Sequence, residues 1–363
     1  GWQTASLTTG WYRLRVRMAH DGIEEKEEVS VYVDQTLKAG WPKRIPWDRS
    51  PDRLVWGGFL EPVVSDLDGN GKKEILVLKG GIPPKLLTYR HNGSLAWEAE
   101  VGKGMVPGGN LHIPLVADLD GNGKKEIFAY NIGWTQGGGS EDSLLFAFNH
   151  RGKLLPGWPV KLPRDFHITL LAADLDQDGQ QEVIVQGHES SAGQYISIID
   201  LGGSVRSQWQ LPEIRWIAEI TGTPAVGNFD QDTDLEIVVG KPSPQAGAIE
   251  VGGRLLCCNN EGELHVFNQD GTEVPGWPIK TDGIPFSSPV VGDLDADSDN
   301  EIVIGLLYGS DTFPDTRYGG LYAFDHNGKL LEGWPRGKGY SYWSTPSLGD
   351  LDGDGDLEIA ASQ

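Results

Sequence analysis

DLDGNGKKEI, residues 66–75, recurs letter for letter at 118–127, and four related copies follow: DLDQDGQQEV (174–183), NFDQDTDLEI (228–237), DLDADSDNEI (293–302) and DLDGDGDLEI (350–359). Their starts lie 52, 56, 54, 65 and 57 residues apart. A short apolar run leads into the loops, as in PVVSD, PLVAD and PVVGD, and another leaves them, as in EILVL, EIFAY and EIVIG. Both runs have strand length and β-rich composition, so each acidic segment is a turn between two strands. About 20 to 30 residues later most units carry a second block, such as LLTYRHNGSLAW, ISIIDLGGSVRSQW or LYAFDHNGKLLEGWP. There, alternating apolar residues flank an Asn/Asp/Gly turn, which reads as a hairpin. Four strands per unit, repeated at this period with no helical pattern, predict an all-β chain built as a β-propeller.

Six repeats are recognisable, and six or seven blades are both compatible with them. The expected division is a propeller over 37–363 preceded by a different unit over 1–36. In that first unit, Trp11–Met18 and Val29–Val33 alternate around a polar turn expected at His20–Lys26. The pattern suits a partial immunoglobulin-like or fibronectin-like hairpin, too small to be stable alone.

The acidic loops carry the chemistry. In D-x-D-x-[DN]-G-x-x-E, oxygen side chains at alternate positions of a tight turn point to one centre, a backbone carbonyl adds a donor, and the acid at position nine closes the shell. Hard oxygen donors in that number suit Ca²⁺, whereas no loop contains the His or Cys that zinc or copper would favour. The candidate ligands are Asp66, Asp68, Asn70 and Glu74; Asp118, Asp120, Asn122 and Glu126; Asp174, Asp176, Asp178 and Glu182; Asn228, Asp230, Asp232 and Glu236; Asp293, Asp295, Asp297 and Glu301; and Asp350, Asp352, Asp354 and Glu358. Gly71, Gly123, Gly179 and Gly355 at position six permit a left-handed turn. Loop four has Asn228 first and Thr233 sixth, and loop five has Ser298 sixth, so these two are expected to bind more weakly. The six loops hold 24 of the 52 acids, and six calcium ions would take the net charge from −22 to −10.

With their flanking strands, these loops resemble the FG-GAP/VCBS repeats of integrin alpha-subunit propellers and of secreted bacterial proteins. The resemblance spans roughly 38–363. It implies up to six structural Ca²⁺ ions, held on the underside of the blades by loop positions one, three, five and nine. It also implies an extracellular setting, secreted or at the cell surface. The segment DGIEEKEEVSVYVDQTLKAGWP (21–42) bears a shorter resemblance to regions beyond the catalytic domain of subtilisin-like proteases.

Composition narrows the partners. At a net charge of −22 neither nucleic acid nor an anionic membrane surface is an expected partner, and no stretch is apolar enough to span a bilayer. The start shows no leader-like pattern of basic then apolar residues. Cys257 and Cys258 are adjacent, either as free thiols or as a vicinal disulfide. The GWP tryptophans Trp41, Trp158, Trp277 and Trp334 read as packing between blades. No nucleophile elbow, phosphate loop or Ser/His/Asp set is evident, so the chain is expected to lack catalytic activity.

Ligand binding is then expected on the loop-rich face opposite the acidic turns, with Trp56, His112, His167, Trp216, Phe286, Tyr342 and Trp343 near the channel mouth. The function read from this is an extracellular adhesion or assembly module for a protein or glycan ligand. The alternatives are a carbohydrate-binding lectin and a non-catalytic accessory domain of a secreted protease. Self-assembly through residues 1–36 is a further expectation.

Overall fold

The structure, a computed structural model, describes residues 10–20, 23–33, 62–79, 83–102, 113–131, 142–163, 165–189, 193–211, 222–230, 232–242, 249–251, 254–256, 262–285, 287–307, 319–337 and 344–362. Among these there is no helix, and the strands form small antiparallel sheets of the kind expected for propeller blades. Blade one consists of Val63–Ser65, Glu74–Lys79, Lys85–Tyr89 and Leu95–Glu100, paired in chain order. Blade two follows with Leu115–Ala117, Glu126–Asn131, Ser143–Phe148 and Val160–Leu162. Blade three is Asp165–Ala173, Glu182–Glu189, Gly193–Ile199 and Val205–Gln210.

Blade four is Ala225–Gly227, Glu236–Pro242, Gly262–Phe267 and Ile279–Thr281, with a small hairpin, Ile249–Val251 and Arg254–Leu256, between its second and third strands. Blade five has Val290–Gly292, Glu301–Leu307 and Gly320–Phe324, and Ile284–Pro285 pairs with the far end of its second strand. The sixth repeat contributes the pair Ser347–Gly349 and Glu358–Ala360.

Alternate residues of each strand face opposite neighbours, and that alternation builds the core. In blade two, Ile127 and Ala129 pack with Leu76, Leu78 and Leu86 of blade one, while Phe128 and Tyr130 pack with Ile168, Val183 and Val185 of blade three. Ile184, Ile196 and Ile198 meet Ile237 and Val239 of blade four, whose Val238 and Leu264 meet Ile302 and Ile304 of blade five. Burial on both faces explains why the second strands read as unbroken apolar runs rather than alternating ones. Tryptophans lock the outer edges. Trp97 Nε1 donates to the His150 carbonyl at 3.0 Å and Trp158 Nε1 to the Leu201 carbonyl at 2.8 Å, each reaching the hairpin turn of the next blade. Trp158 and Trp277 are buried, edge-on to Phe128 and Phe229, as expected of packing residues; Trp41 lies outside the described residues.

The first unit departs from its expected turn. Strand Gly10–His20 pairs with Ile23–Val33 from Gly10↔Val33 to His20↔Ile23, so the connection is residues 21–22 and Glu24–Lys26 belong to the second strand. The backbone pairs Ala19↔Glu24, Met18↔Glu25 and Arg17↔Lys26 carry the ladder through residues whose polar composition suggested a turn, because main-chain hydrogen bonding between strands does not require apolar side chains.

Candidate metal centre

Each acidic loop first satisfies its own backbone. In loop one, Asp66 Oδ1 accepts from the amides of Gly69 and Asn70 at 3.0 and 3.1 Å, and Oδ2 accepts from Gly71 at 2.7 Å. Gly123, Gly179, Ser298 and Gly355 donate to the first-position aspartate of their loops in the same way, at 2.8, 2.9, 3.0 and 3.2 Å. The glutamate at position nine accepts from the amide of position two in all six loops, from 3.2 Å at Leu67 to 2.6 Å at Phe229. These bonds curl the turn around a common centre and leave further carboxylate oxygens facing inward.

The position-six glycines have φ between +81° and +100°, as the left-handed turn requires. Position four is left-handed too, which the sequence reading missed: Gly69, Gly121 and Gly353 share this conformation with Gln177 and Ala296. Ser298 takes φ +77° at position six, so loop five keeps the anchoring bond to Asp293 at the cost of backbone strain. Loop four differs more. Its Asn228 turns the amide nitrogen inward, donating to the Asp232 carbonyl at 2.6 Å.

Acidic donor atoms converge within 4.8 Å of one another in Asp66/Asp68/Glu74, Asp118/Asp120/Glu126, Asp174/Asp176/Glu182, Asp230/Asp232/Glu236 and Asp293/Asp295/Asp297. Burial raises Glu126 and Glu182 above the usual carboxylate range and pushes Glu236 and Glu301 to about 7, with the aspartates of each loop adding to the effect. Asp174 Oδ1 and Asp293 Oδ1 are buried without a hydrogen-bond partner. Clustered anionic oxygens with unmet acceptor capacity are what a hard divalent cation would complete, so the donor set fits Ca²⁺.

The loops are also joined to one another. In loops two, three and four the position-eight amide donates to the position-two carbonyl of the loop before: Lys125 to Leu67 at 2.9 Å, Gln181 to Leu119 and Leu235 to Leu175 at 2.8 Å. The position-two side chains Leu67, Leu119, Leu175 and Phe229 are buried beneath them, whereas Leu351 is 72% exposed. Asn300 of loop five donates its side-chain amide to the Asn228 carbonyl of loop four at 3.0 Å, so the turns of loops one to five are joined in sequence.

A second polar cluster lies inside blade four. Lys241 is fully buried with Nζ 3.4 Å from Glu263 Oε2, and His265 Nε2 is 3.3 Å from the same oxygen. His265 Nδ1 sits 2.5 Å from Glu273 Oε1. Burial lowers the pKa of both Lys241 and His265, against the pull of these glutamates. No spacing in the sequence marks this cluster; the register pairs Lys241↔Glu263 and Val239↔His265 that assemble it are a tertiary fact.

Among the proposed ligand-face residues, Trp56, His112, Trp216, Phe286, Tyr342 and Trp343 lie outside the described residues, as do Cys257 and Cys258. His167 falls in the inner strand Asp165–Ala173, and its side chain is outside the description. No helix among the described residues is long and apolar enough to cross a membrane.

No protein-family model matches the chain, and no curated protein matches it by sequence. Solved structures do. A Bacillus licheniformis rhamnogalacturonan lyase PL11 aligns over 96% of this chain and 63% of its own, with 18% identity and TM-score 0.53. Rhamnogalacturonan lyase YesW gives the same identity and coverages at TM-score 0.57. A fungal lectin from Aleuria aurantia, described as a six-bladed β-propeller, covers 86% of this chain and 89% of its own at 11% identity; its TM-score of 0.36 adds no weight. The chain spans less than two thirds of the lyases' length. These likenesses overturn the expectation of a chain without catalytic activity. The fold seen here over nearly its whole length is one that enzymes carry. The physical reason is that a propeller gathers a site from loops of several blades, so the lack of a compact catalytic motif excludes nothing. By architecture, this chain is similar to part of the rhamnogalacturonan lyases.

Proposed function

We propose that this chain is the calcium-stabilised propeller of a secreted protein that binds and eliminatively cleaves an acidic polysaccharide of the rhamnogalacturonan class. The observation that carries the reading is the fold likeness to such lyases over 96% of the chain. In eliminative cleavage a base removes the proton beside a uronate carboxylate, a double bond forms between that carbon and its neighbour, and the glycosidic C–O bond on the neighbour breaks with its electron pair leaving on the oxygen, which takes up a proton to become a hydroxyl.

Electrostatics favours one end of the molecule for such a substrate. Loops one to six concentrate 24 of the 52 acids in their turns, which would repel a polyuronate. The opposite end, where we place Trp56, His112, His167, Trp216, Phe286, Tyr342 and Trp343, is the proposed binding face. Calcium would be structural, held by positions one, three, five and nine of the loops; the resemblance to FG-GAP/VCBS repeats and the converging carboxylates support this. An extracellular setting supplies calcium at the level such sites require. We read residues 1–36 as a partial immunoglobulin-like unit beside the propeller of 37–363.

The test is incubation with rhamnogalacturonan in calcium, following the ultraviolet absorbance of unsaturated uronide ends. New unsaturated ends support the reading. Retention on the immobilised polysaccharide without cleavage would leave a glycan-binding module and refute the lyase, and neither binding nor cleavage would sink both.

A further inference from the structure

Loop three alone among the described loops has a protein cation on its ligand carboxylates. Arg206 Nη1 lies 3.0 Å from Asp176 Oδ2 and 2.9 Å from Glu182 Oε1, bridging positions three and nine of the candidate site. Glu182 is 1% exposed, so this ion pair is partly shielded from water.

The placement is structural. In the outer hairpin of blade three, Ile199 pairs with Val205 and Ile198 with Ser207, so Arg206 is the extra residue of a bulge, a device that re-aims a side chain. Blade one has the same bulge, between Tyr89↔Leu95 and Thr88↔Trp97, and there the extra residue is Ala96. In blades two, four and five the bridges Phe148↔Leu154, Phe267↔Glu273 and Phe324↔Leu330 are followed by Leu155, Val274 and Leu331, which pack into the core. One position in five blades therefore holds an apolar residue four times and a guanidinium once.

We propose that Arg206 is a resident counter-cation of loop three, which supports the loop without metal and competes with calcium for Asp176 and Glu182. Loop three has the full run of candidate ligands, yet it fills later than loops one and two, whose Asp68, Glu74, Asp120 and Glu126 meet no such cation among the described residues. Asp174 Oδ1 stays without a partner, so a metal ion that displaces the guanidinium still gains a ligand.

This inference rests on the calcium reading, and the experiment separates them. Calcium is titrated into the chelator-stripped full chain by calorimetry, with unfolding temperature in chelator measured alongside. Arg206→Leu, the residue found at this place in blades two and five, should tighten one calcium site by about tenfold and lower the unfolding temperature in chelator. The gain should vanish in Arg206→Leu/Asp174→Asn. Arg206→Gln should show the same shift where leucine disturbs folding. Loops that bind calcium with every affinity unchanged in these variants would overturn the inference alone. No calcium binding to the wild-type chain would overturn the calcium reading and the competition with it.

Discussion

Replacing Glu236 with Gln should change stability in opposite directions with and without calcium. Glu236 is 1% exposed, accepts the Phe229 amide through Oε2 at 2.6 Å, and has its pKa raised from 4.5 to about 7, first by burial and then by Asp230, Asp232 and Asp234. A folded-state value above the unfolded one means that the native protein binds the proton more tightly. Metal-free stability from this group is therefore present at low pH and lost as pH rises from 4.5 through about 7. The full shift corresponds to up to ~3 kcal/mol by about pH 8. Glutamine keeps an oxygen for the Phe229 amide and carries no charge. In chelator near pH 8, Glu236→Gln should be the more stable protein by up to ~3 kcal/mol, and near pH 4 the two should coincide.

For 363 residues, an unfolding entropy of about 2 cal/mol/K per residue turns ~3 kcal/mol into a rise of roughly 4 °C. With calcium in excess the sign reverses, because the variant has lost an anionic ligand and gains less from the ion. The assay is thermal unfolding at several pH values, with chelator and with calcium. A variant destabilised alike in all conditions would show that Glu236 acts only through its hydrogen bond, and the account of burial and cation demand would fail.

Gly69 and Gly71 have similar φ, +74° and +81°, but a Cβ on Gly69 would meet the Gly123 carbonyl oxygen at 2.8 Å while one on Gly71 meets nothing within 4 Å. Gly71→Ala should cost about 1 kcal/mol and Gly69→Ala about 3, measured by chemical denaturation in calcium; equal costs would mean the junction of loops one and two is not tight. Lys241→Met leaves Glu263 without its buried cation and should lose about 3 kcal/mol, most of it restored in Lys241→Met/Glu263→Gln. Failure of the double variant to recover would show that packing of the lysine stem, not charge, is what the site requires.

Interactions confined to a few residues were readable in advance. The curl of each acidic loop comes from side chains bonding to their own backbone within nine positions, so D-x-D-x-[DN]-G-x-x-E announces both the turn and the convergence of oxygens. Apolar runs on either side announce the strands, because burial between two neighbours favours uninterrupted β-branched residues. Left-handed geometry at Gln177, Ala296 and Ser298 was not readable, since nothing in those residue types demands it; the loop imposes it through the anchoring bonds.

What amino-acid order determined by itself, then, was the repeating strand–acidic turn–strand unit and the donor chemistry of its turns. Only the tertiary structure decided which loop carries its own cation, because Arg206 stands 30 residues from Asp176 and reaches it through a bulge in an outer strand. The same holds for Lys241, Glu263, His265 and Glu273, which strand register brings together inside one blade. It holds also for the amides of Lys125, Gln181 and Leu235, which tie the second, third and fourth turns each to the one before. Hydrogen bonds to near neighbours in the chain are set by local spacing, whereas charges meeting across strands and blades depend on pairing and packing that no short window of sequence contains.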